Sequence, residues 1–247
     1  MTADLAVMAA HGLFGTSCIT ALTVQSTLGV KGVEPVDSRV VGETLACLAA
    51  DLPPAGIKIG MLATEGNVLA VAEFLEGLEG RVPVVLDPVI RSSSGAHLLD
   101  GAGVEAMRSR LLPLVNWVTP NLSELAALVD GMVVDGPRAM EEAARVLQAR
   151  YPGLTVVGTG GHLEKPDDLV VWADGQAEWI AGEKIESRAT HGTGCAFSTA
   201  LLCGLVRGDA EGEAVRSAKT FVAEAIRRAE PRGGGHGPME LYWRMRG

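Results

Sequence analysis

Two periodicities divide this chain. Near-continuous apolar runs at residues 17–25, 57–62, 82–89, 117–119 and 155–157 predict strands. Runs of that kind suit strands buried on both faces. Between them, apolar positions spaced three and four apart predict helices over residues 37–52, 65–78, 103–112, 123–129 and 137–150. The first of these sets Val41, Leu45, Leu48 and Leu52 on one face. A short helix over residues 4–10, carrying Leu5, Met8 and Ala9, is predicted ahead of the first strand. Buried strands separated by amphipathic helices predict an α/β fold with a mostly parallel central sheet covered by helices on both faces.

The pattern then changes. Residues 169–173 and 177–180 flank Asp174-Gly175-Gln176 and predict a β-hairpin. An apolar stretch over residues 196–206 predicts a buried helix, and residues 214–229 another, with Val215, Ala218, Val222, Ala225 and Ile226 on one stripe.

Composition narrows the function. No Pro/Ser-rich linker or charge block divides the chain, so residues 1–247 read as a single domain. Aromatic residues make up only 4% while glycines number 31, as tight strand-to-helix turns require. The net charge of −9 argues against a nucleic-acid surface. Any phosphate site must therefore be local and built from backbone dipoles. The four cysteines, Cys18, Cys47, Cys195 and Cys203, show no CxxC spacing and indicate neither a zinc site nor a disulfide framework. No apolar stretch reaches membrane-spanning length and no leader-like start is seen, so the expectation is a cytoplasmic enzyme without a membrane partner.

The sharpest motif is Thr190-His191-Gly192-Thr193-Gly194-Cys195, directly before the apolar helix. Small residues there free backbone N–H groups, and a helix N-terminus adds a positive field that suits a phosphate. Cys195 falls in the first turn, where the same field is expected to lower a thiol's pKa. A glycine turn capping a buried helix with a core cysteine explains the hexapeptide equally well. No Walker A sequence or dinucleotide fingerprint follows any predicted strand, so a nucleotide site would need another design.

Other motifs carry a resemblance. They are residues 19–27 (ITALTVQST), 58–62 (KIGML), 85–89 (VLDPV), 111–113 (LLP) and 119–124 (TPNLSE). Further along come Gly160-Gly161-His162, the hexapeptide itself and the tail Gly235-His236-Gly237-Pro238. From about Ala3 to its end the chain resembles the phosphomethylpyrimidine kinases of thiamine biosynthesis, members of the ribokinase-like superfamily. The resemblance implies a three-layer sandwich. It also implies transfer of the ATP γ-phosphate to hydroxymethylpyrimidine and then to its monophosphate, with ATP and Mg²⁺ as cofactors and a homodimer as the assembly.

The resemblance also assigns residues. Cys195 matches the base for the substrate hydroxyl, and Gly192, Thr193 and Gly194 match the anion hole. Gln25 matches the amide that pairs with the aminopyrimidine edge; an amide donates and accepts at once. Met61 and Val89 match apolar pocket residues, though each alone reads as ordinary core. Asn121 and Glu124 match a pattern that orients Mg²⁺-bound water and phosphates, and equally spell a helix cap with its first-turn acid. Asp87, assigned with Glu124 to the metal, stands at a strand end where ligands approach open sheets, and reads also as a structural Asp before Pro88. Thr159 and Thr190 fall at the ATP phosphates. His162 and His191 are expected near nucleotide or substrate, without a catalytic role.

The chain departs from the resemblance in three places. Relatives open with an apolar strand and a glycine-rich loop ahead of a Gln-Ala-Asp that here reads Thr2-Ala3-Asp4, so extra residues before Met1 are expected. Relatives carry Lys where Thr159 stands, and often Lys within the stretch that here reads Arg91-Ser92-Ser93-Ser94-Gly95. Thr159 brings a hydroxyl but no charge, and Arg91 restores part of it. These departures leave two alternatives open: a pyridoxal kinase of the same superfamily, or a non-catalytic pyrimidine-binding relative.

Overall fold

A computed structural model describes residues 1–92, 95–161 and 163–246. The chain opens with α1 (Thr2–Ala10), followed by β1 (Ala21–Ser26) and β2 (Gly29–Pro35). α2 (Ser38–Asp51), β3 (Ile57–Ile59), α3 (Glu65–Glu76) and β4 (Val84–Leu86) come next. α4 (Gly101–Ala106) leads into β5 (Trp117–Val118), α5 (Leu122–Leu128), α6 (Pro137–Arg150) and β6 (Thr155–Gly158). The chain closes with β7 (Asp168–Val171), β8 (Ala177–Ile180), α7 (Thr193–Arg207) and α8 (Glu211–Arg227). No described helix is long and apolar enough to cross a membrane.

Strands β3 to β8 form one six-stranded sheet in sequence order. β3 to β6 run parallel, while β7 and β8 pair antiparallel as the expected hairpin. Because side chains alternate across a strand, the sheet splits its apolar residues between two cores. Ile59, Leu86, Val118, Val156 and Leu169 enter one, beneath α2 to α6. Val85, Trp117, Val157, Val170 and Ile180 enter the other, beneath α1, α7 and α8. That is the three-layer arrangement of a ribokinase-like fold.

Local chemistry sets the helix starts. Asp37, Thr64 and Asp100 each accept a backbone N–H of the first turn, and α6 starts with Pro137 after Gly136. Such caps satisfy donors that the helix itself leaves unpaired.

Two expectations need correction. The strand expected over residues 17–25 starts at Ala21 and lies outside the central sheet, in a separate antiparallel ladder with β2, which the apolar pattern missed. Leu22 and Val24 alternate with Thr23 and Gln25, a half-amphipathic pattern that suits an appended ribbon better than a strand buried on both faces. The helix expected over residues 103–112 is α-helical only to Ala106. It widens to a π turn over Met107–Leu111 and tightens to a 3-10 turn over Leu112–Leu114, where Pro113 cannot donate an α-helical hydrogen bond.

Candidate active site

The parallel strands β3 to β6 present their carboxyl ends to one cleft, part of a larger groove of about 2020 Å³ that runs on past the amino end of β3 at Pro54 and Gly56. Open α/β sheets receive ligands at that edge. The twelve residues assigned a role from sequence line it, namely Gln25, Met61, Asp87, Val89, Asn121, Glu124, Thr159, Thr190 and Gly192 to Cys195, and so does His191. Lys58, Asp87, Thr119 and Thr159 each lie within or directly after one of the four parallel strands.

The hexapeptide starts α7. Gly192 caps it in the left-handed region (φ 79°, ψ 19°), where a side chain would be strained. The first intrahelical bond runs from Ala196 N–H to the Gly192 carbonyl, so the N–H groups of residues 193–195 have no partner within the helix. A Cβ added at Gly194 would stand 3.9 Å from Asp87 Oδ1, so the Asp87 carboxylate lies against the turn. Thr190 Oγ1 and His236 Nδ1 are 3.0 Å apart, and His191 N–H donates to the Gly237 carbonyl (3.1 Å), which ties the tail to the turn.

Beneath the turn lies a buried charge cluster. Lys58 Nζ sits 3.1 Å from Asp4 Oδ1 and 3.5 Å from Asp87 Oδ2, with its side chain only 4% exposed. Gly60 leaves room for it, since a Cβ there would fall 2.8 Å from Nζ. Thr199 Oγ1 donates to Asp4 (2.8 Å) and Ser198 Oγ to Asp87 (3.4 Å), so the second turn of α7 completes the carboxylates' bonding. Burial alone would pull the Lys58 ammonium down. Cys195, Asp87 and Asp4 outweigh it and hold the pKa above the ordinary lysine value.

This cluster overturns the expectation of a low thiol pKa at Cys195. Burial pushes the thiol up to about 12; Lys58 opposes the rise, while Asp87 and Asp4 add to it, Asp87 also by accepting a hydrogen bond from the protonated thiol. The helix field remains, but desolvation and two carboxylates exceed it.

Asn121 and Glu124 form a reciprocal cap. The Asn121 side chain accepts from Ser123 and Glu124 N–H, and Glu124 Oε2 accepts from Asn121 N–H at 2.9 Å. Glu124 is buried, and burial together with the Asp87 charge pushes its carboxyl up to about 8. Thr159 N–H donates to the Pro120 carbonyl (2.9 Å), and its hydroxyl leans to the same oxygen at 3.5 Å. Arg91 is exposed at the cleft margin. His162, Ser93 and Ser94 lie outside the described residues.

At the opposite wall, Thr20 Oγ1 donates to the Met61 carbonyl (2.5 Å), which fixes the start of the hairpin against the end of β3. Val89 N–H turns back to the Asp87 carbonyl (2.8 Å). Gln25 is exposed on β1, and its Nε2 donates to His191 Nε2 at 3.1 Å.

The profile of the phosphomethylpyrimidine kinase family matches residues 1–240. This chain belongs to that family. It is 38% identical over 244 residues to a hydroxymethylpyrimidine/phosphomethylpyrimidine kinase of Streptomyces coelicolor, covering 98% of this chain and 89% of that protein. It is 39% identical over 238 residues to the thiamine biosynthesis bifunctional protein ThiED of Geobacter sulfurreducens. That match covers 96% of this chain but spans only about half (48%) of the longer protein. Among solved structures, the ADP complex of Bacillus subtilis pyridoxal kinase superposes with a TM-score of 0.88 at 28% identity, over all of this chain and 92% of the other. The family is one of kinases that use ATP, and this chain is a kinase of ribokinase-like fold.

The cluster beneath the turn draws on the same motifs, with Lys58 in KIGML and Asp87 in VLDPV. Lys58 and Asp4 escaped the sequence reading as site residues, although a lysine inside a short apolar strand followed two residues later by glycine was a usable signal. A charged side chain is rarely buried without a partner. The contact of His191 with Gln25 joins residues 166 apart and had no local signal.

Proposed function

We propose that this protein transfers the ATP γ-phosphate to the hydroxymethyl group of hydroxymethylpyrimidine, and then to the monophosphate so formed, in thiamine biosynthesis. The single observation that carries this reading is convergence: residues from Gln25 to Cys195, chosen by motif, line one cleft at the strand ends. The reading takes residues 1–247 as one domain and expects a cytoplasmic homodimer.

Each group has a role. Gln25 pairs with the aminopyrimidine edge while Met61 and Val89 flank the ring. The N–H groups at the start of α7 hold the transferred phosphoryl oxygens, helped by the helix field. As the substrate oxygen bonds to phosphorus and the bond to the β-phosphate oxygen breaks, Cys195 takes the hydroxyl proton. The thiol is protonated at rest, so it passes its own proton to Asp87, its hydrogen-bond acceptor, as it takes the proton of the hydroxyl, and the Lys58 charge steadies the transfer. Such transition states are loose, so alignment contributes more than proton removal.

Mg²⁺ fits the residues present. Among the described residues no group of three or more His, Cys, Asp or Glu could hold a metal alone. Magnesium, however, is commonly bound by one or two carboxylates together with substrate phosphates. Asp87 and Glu124 supply such a pair, and their mutual repulsion marks a place for positive charge. When bound, the ion neutralises charge on the phosphate oxygens. Asn121, Thr159 and Thr190 border the phosphates.

A specific observation favours pyridoxal as a second reading, namely the superposition on a pyridoxal kinase. ADP release measured side by side with hydroxymethylpyrimidine, its monophosphate and pyridoxal decides between them. The proposal expects kcat/KM to be highest for the two pyrimidines. A higher value for pyridoxal overturns it in favour of the second reading. Turnover of none, with pyrimidine binding intact, overturns it in favour of a binding protein.

A further inference from the structure

Gln25 sits on a ribbon with little support of its own. Every residue of β1 except Ala21 is exposed, and β1 and β2 pair only with each other. The base of the ribbon is anchored at Thr20, whose carbonyl accepts from Val36 N–H and from Asn67 Nδ2 (3.0 Å). Just below the tip the ladder slips between Val24 and Gln25, leaving Lys31 as the extra residue. A bulge of this kind re-aims the neighbouring side chain. A ribbon held only at its base would let that side chain wander.

The tip has a second anchor, the glycine-rich segment ahead of Gly237. A Cβ built at Gly235 would fall 2.1 Å from the Thr27 carbonyl oxygen, and one at Gly233 would fall 2.3 Å from Thr27 Oγ1. The backbones touch there because no side chains intervene. The same segment is fixed to the phosphate-binding turn, since Gly237 N–H donates to the Arg188 carbonyl (2.8 Å) and His191 N–H to the Gly237 carbonyl. His191 then reaches back and accepts from Gln25 Nε2. An amide that spends one N–H this way still has its carbonyl oxygen and a second N–H to offer a ligand.

We propose that Gly235 and His191 form a latch that holds Gln25 in register with the phosphate-binding turn, and so act as positioning residues for recognition of the pyrimidine. This rests on the reading of Gln25 as the residue that pairs with the ring. The latch links the part that selects the substrate to the part that receives the phosphoryl group. Both of its contacts are between elements far apart in sequence. The neutral imidazole it needs is favoured by partial desolvation of the ring against the cleft wall and by His236, which hold His191 below the ordinary histidine value.

The test is a set of initial-rate measurements with hydroxymethylpyrimidine and ATP, with a thermal melt of each variant. His191→Ala and Gly235→Ala should each raise the KM for the pyrimidine about 3- to 10-fold, the scale of one neutral hydrogen bond, with kcat and the ATP KM within about twofold. Gly234→Ala is the comparator, since its Cβ would meet Leu28 Cδ2 at an ordinary 3.5 Å. It should change the pyrimidine KM less than Gly235→Ala does. In a Gln25→Ala background, His191→Ala should add nothing further. Additive effects, or a Gly234→Ala effect as large as that of Gly235→Ala, overturn the latch. If Gln25→Ala raises the KM while His191→Ala and Gly235→Ala do not, the latch fails and the reading of Gln25 stands. If Gln25→Ala itself leaves the KM unchanged, that reading fails and takes the latch with it. His191 is exposed, so its variant keeps the test decisive even where Gly235→Ala melts early.

Discussion

The floor of the cleft and the ribbon above it are built in opposite ways. The floor comes from strand ends and the first turns of α7, with Lys58 and Asp87 almost wholly enclosed and each charge paired. The ribbon β1–β2 is exposed along most of its length and gains its position from contacts at its base and its tip. Phosphoryl transfer needs donors and acceptors fixed to a fraction of an ångström, and rigid elements supply that. In the proposed reading the ribbon recognises the ring, which needs edges to meet, and two anchor points suffice for that. The division predicts that floor substitutions act on turnover or stability, while ribbon substitutions act on KM.

The largest expected effect is at Cys195. Cys195→Ala should lower kcat by about 10²- to 10⁴-fold, the span of general-base contributions, with ATP affinity nearly unchanged. Steady-state rates together with nucleotide titration check this. A variant that instead raises the pyrimidine KM at unchanged kcat breaks the division between floor and ribbon. Near-full activity would make the thiol a packing group at the start of α7.

Next in size is Lys58→Met. It keeps the apolar stem but removes the cation that bridges Asp4 and Asp87, so the buried Asp87 loses this partner while Asp4 keeps the Met1 ammonium at 2.9 Å. Removing one partner of a buried ion pair typically costs about 3–5 kcal/mol. Urea unfolding of the variant against the parent measures the loss. A cost below about 1 kcal/mol, the range of exposed pairs, would mean that water reaches the cluster and that the floor is not locked by charge.

The same division explains what could be read from the sequence. The parallel strands and their helices were legible because burial on both faces writes itself as continuous apolar runs, as in Val84–Leu86 and Thr155–Gly158. The hairpin β7–β8 announced itself through Asp174-Gly175. β2 was not legible. Gly29, Gly32 and Pro35 dilute its apolar character, and its stability comes from pairing with β1 and from packing at the tip. At the site, the motifs located each side chain on an element or in the turn beside one, but Cys195 was misjudged electrically. The field of a helix start can be inferred from sequence, whereas the burial that raises the thiol, and the Asp87 and Asp4 charges that add to it against Lys58, come together from distant segments.

The smallest and most discriminating effect concerns Glu124. Burial and the Asp87 charge raise its folded pKa to about 8, against 4.5 for an ordinary glutamate. The folded state therefore holds this proton more tightly than the unfolded chain does. By linkage, the stability gained from that proton is fully present below about pH 4.5 and is lost as pH rises through about 8. Glu124→Gln retains an oxygen that can accept from Asn121 N–H but no longer titrates. Without magnesium or nucleotide, the variant and the parent should melt together near pH 5. The variant should then gain about 3 °C or more by pH 9, where roughly 1 kcal/mol already shifts a chain of this size by 2–4 °C. Calorimetric melts across that range, with a chelator present, read the difference directly. A gap that stays flat with pH would mean that Glu124 is ionised throughout, with its charge already compensated in the protein. The floor would then contain a second balanced carboxylate, and the pair of Asp87 and Glu124 would lose the mutual repulsion that makes it a place for a cation.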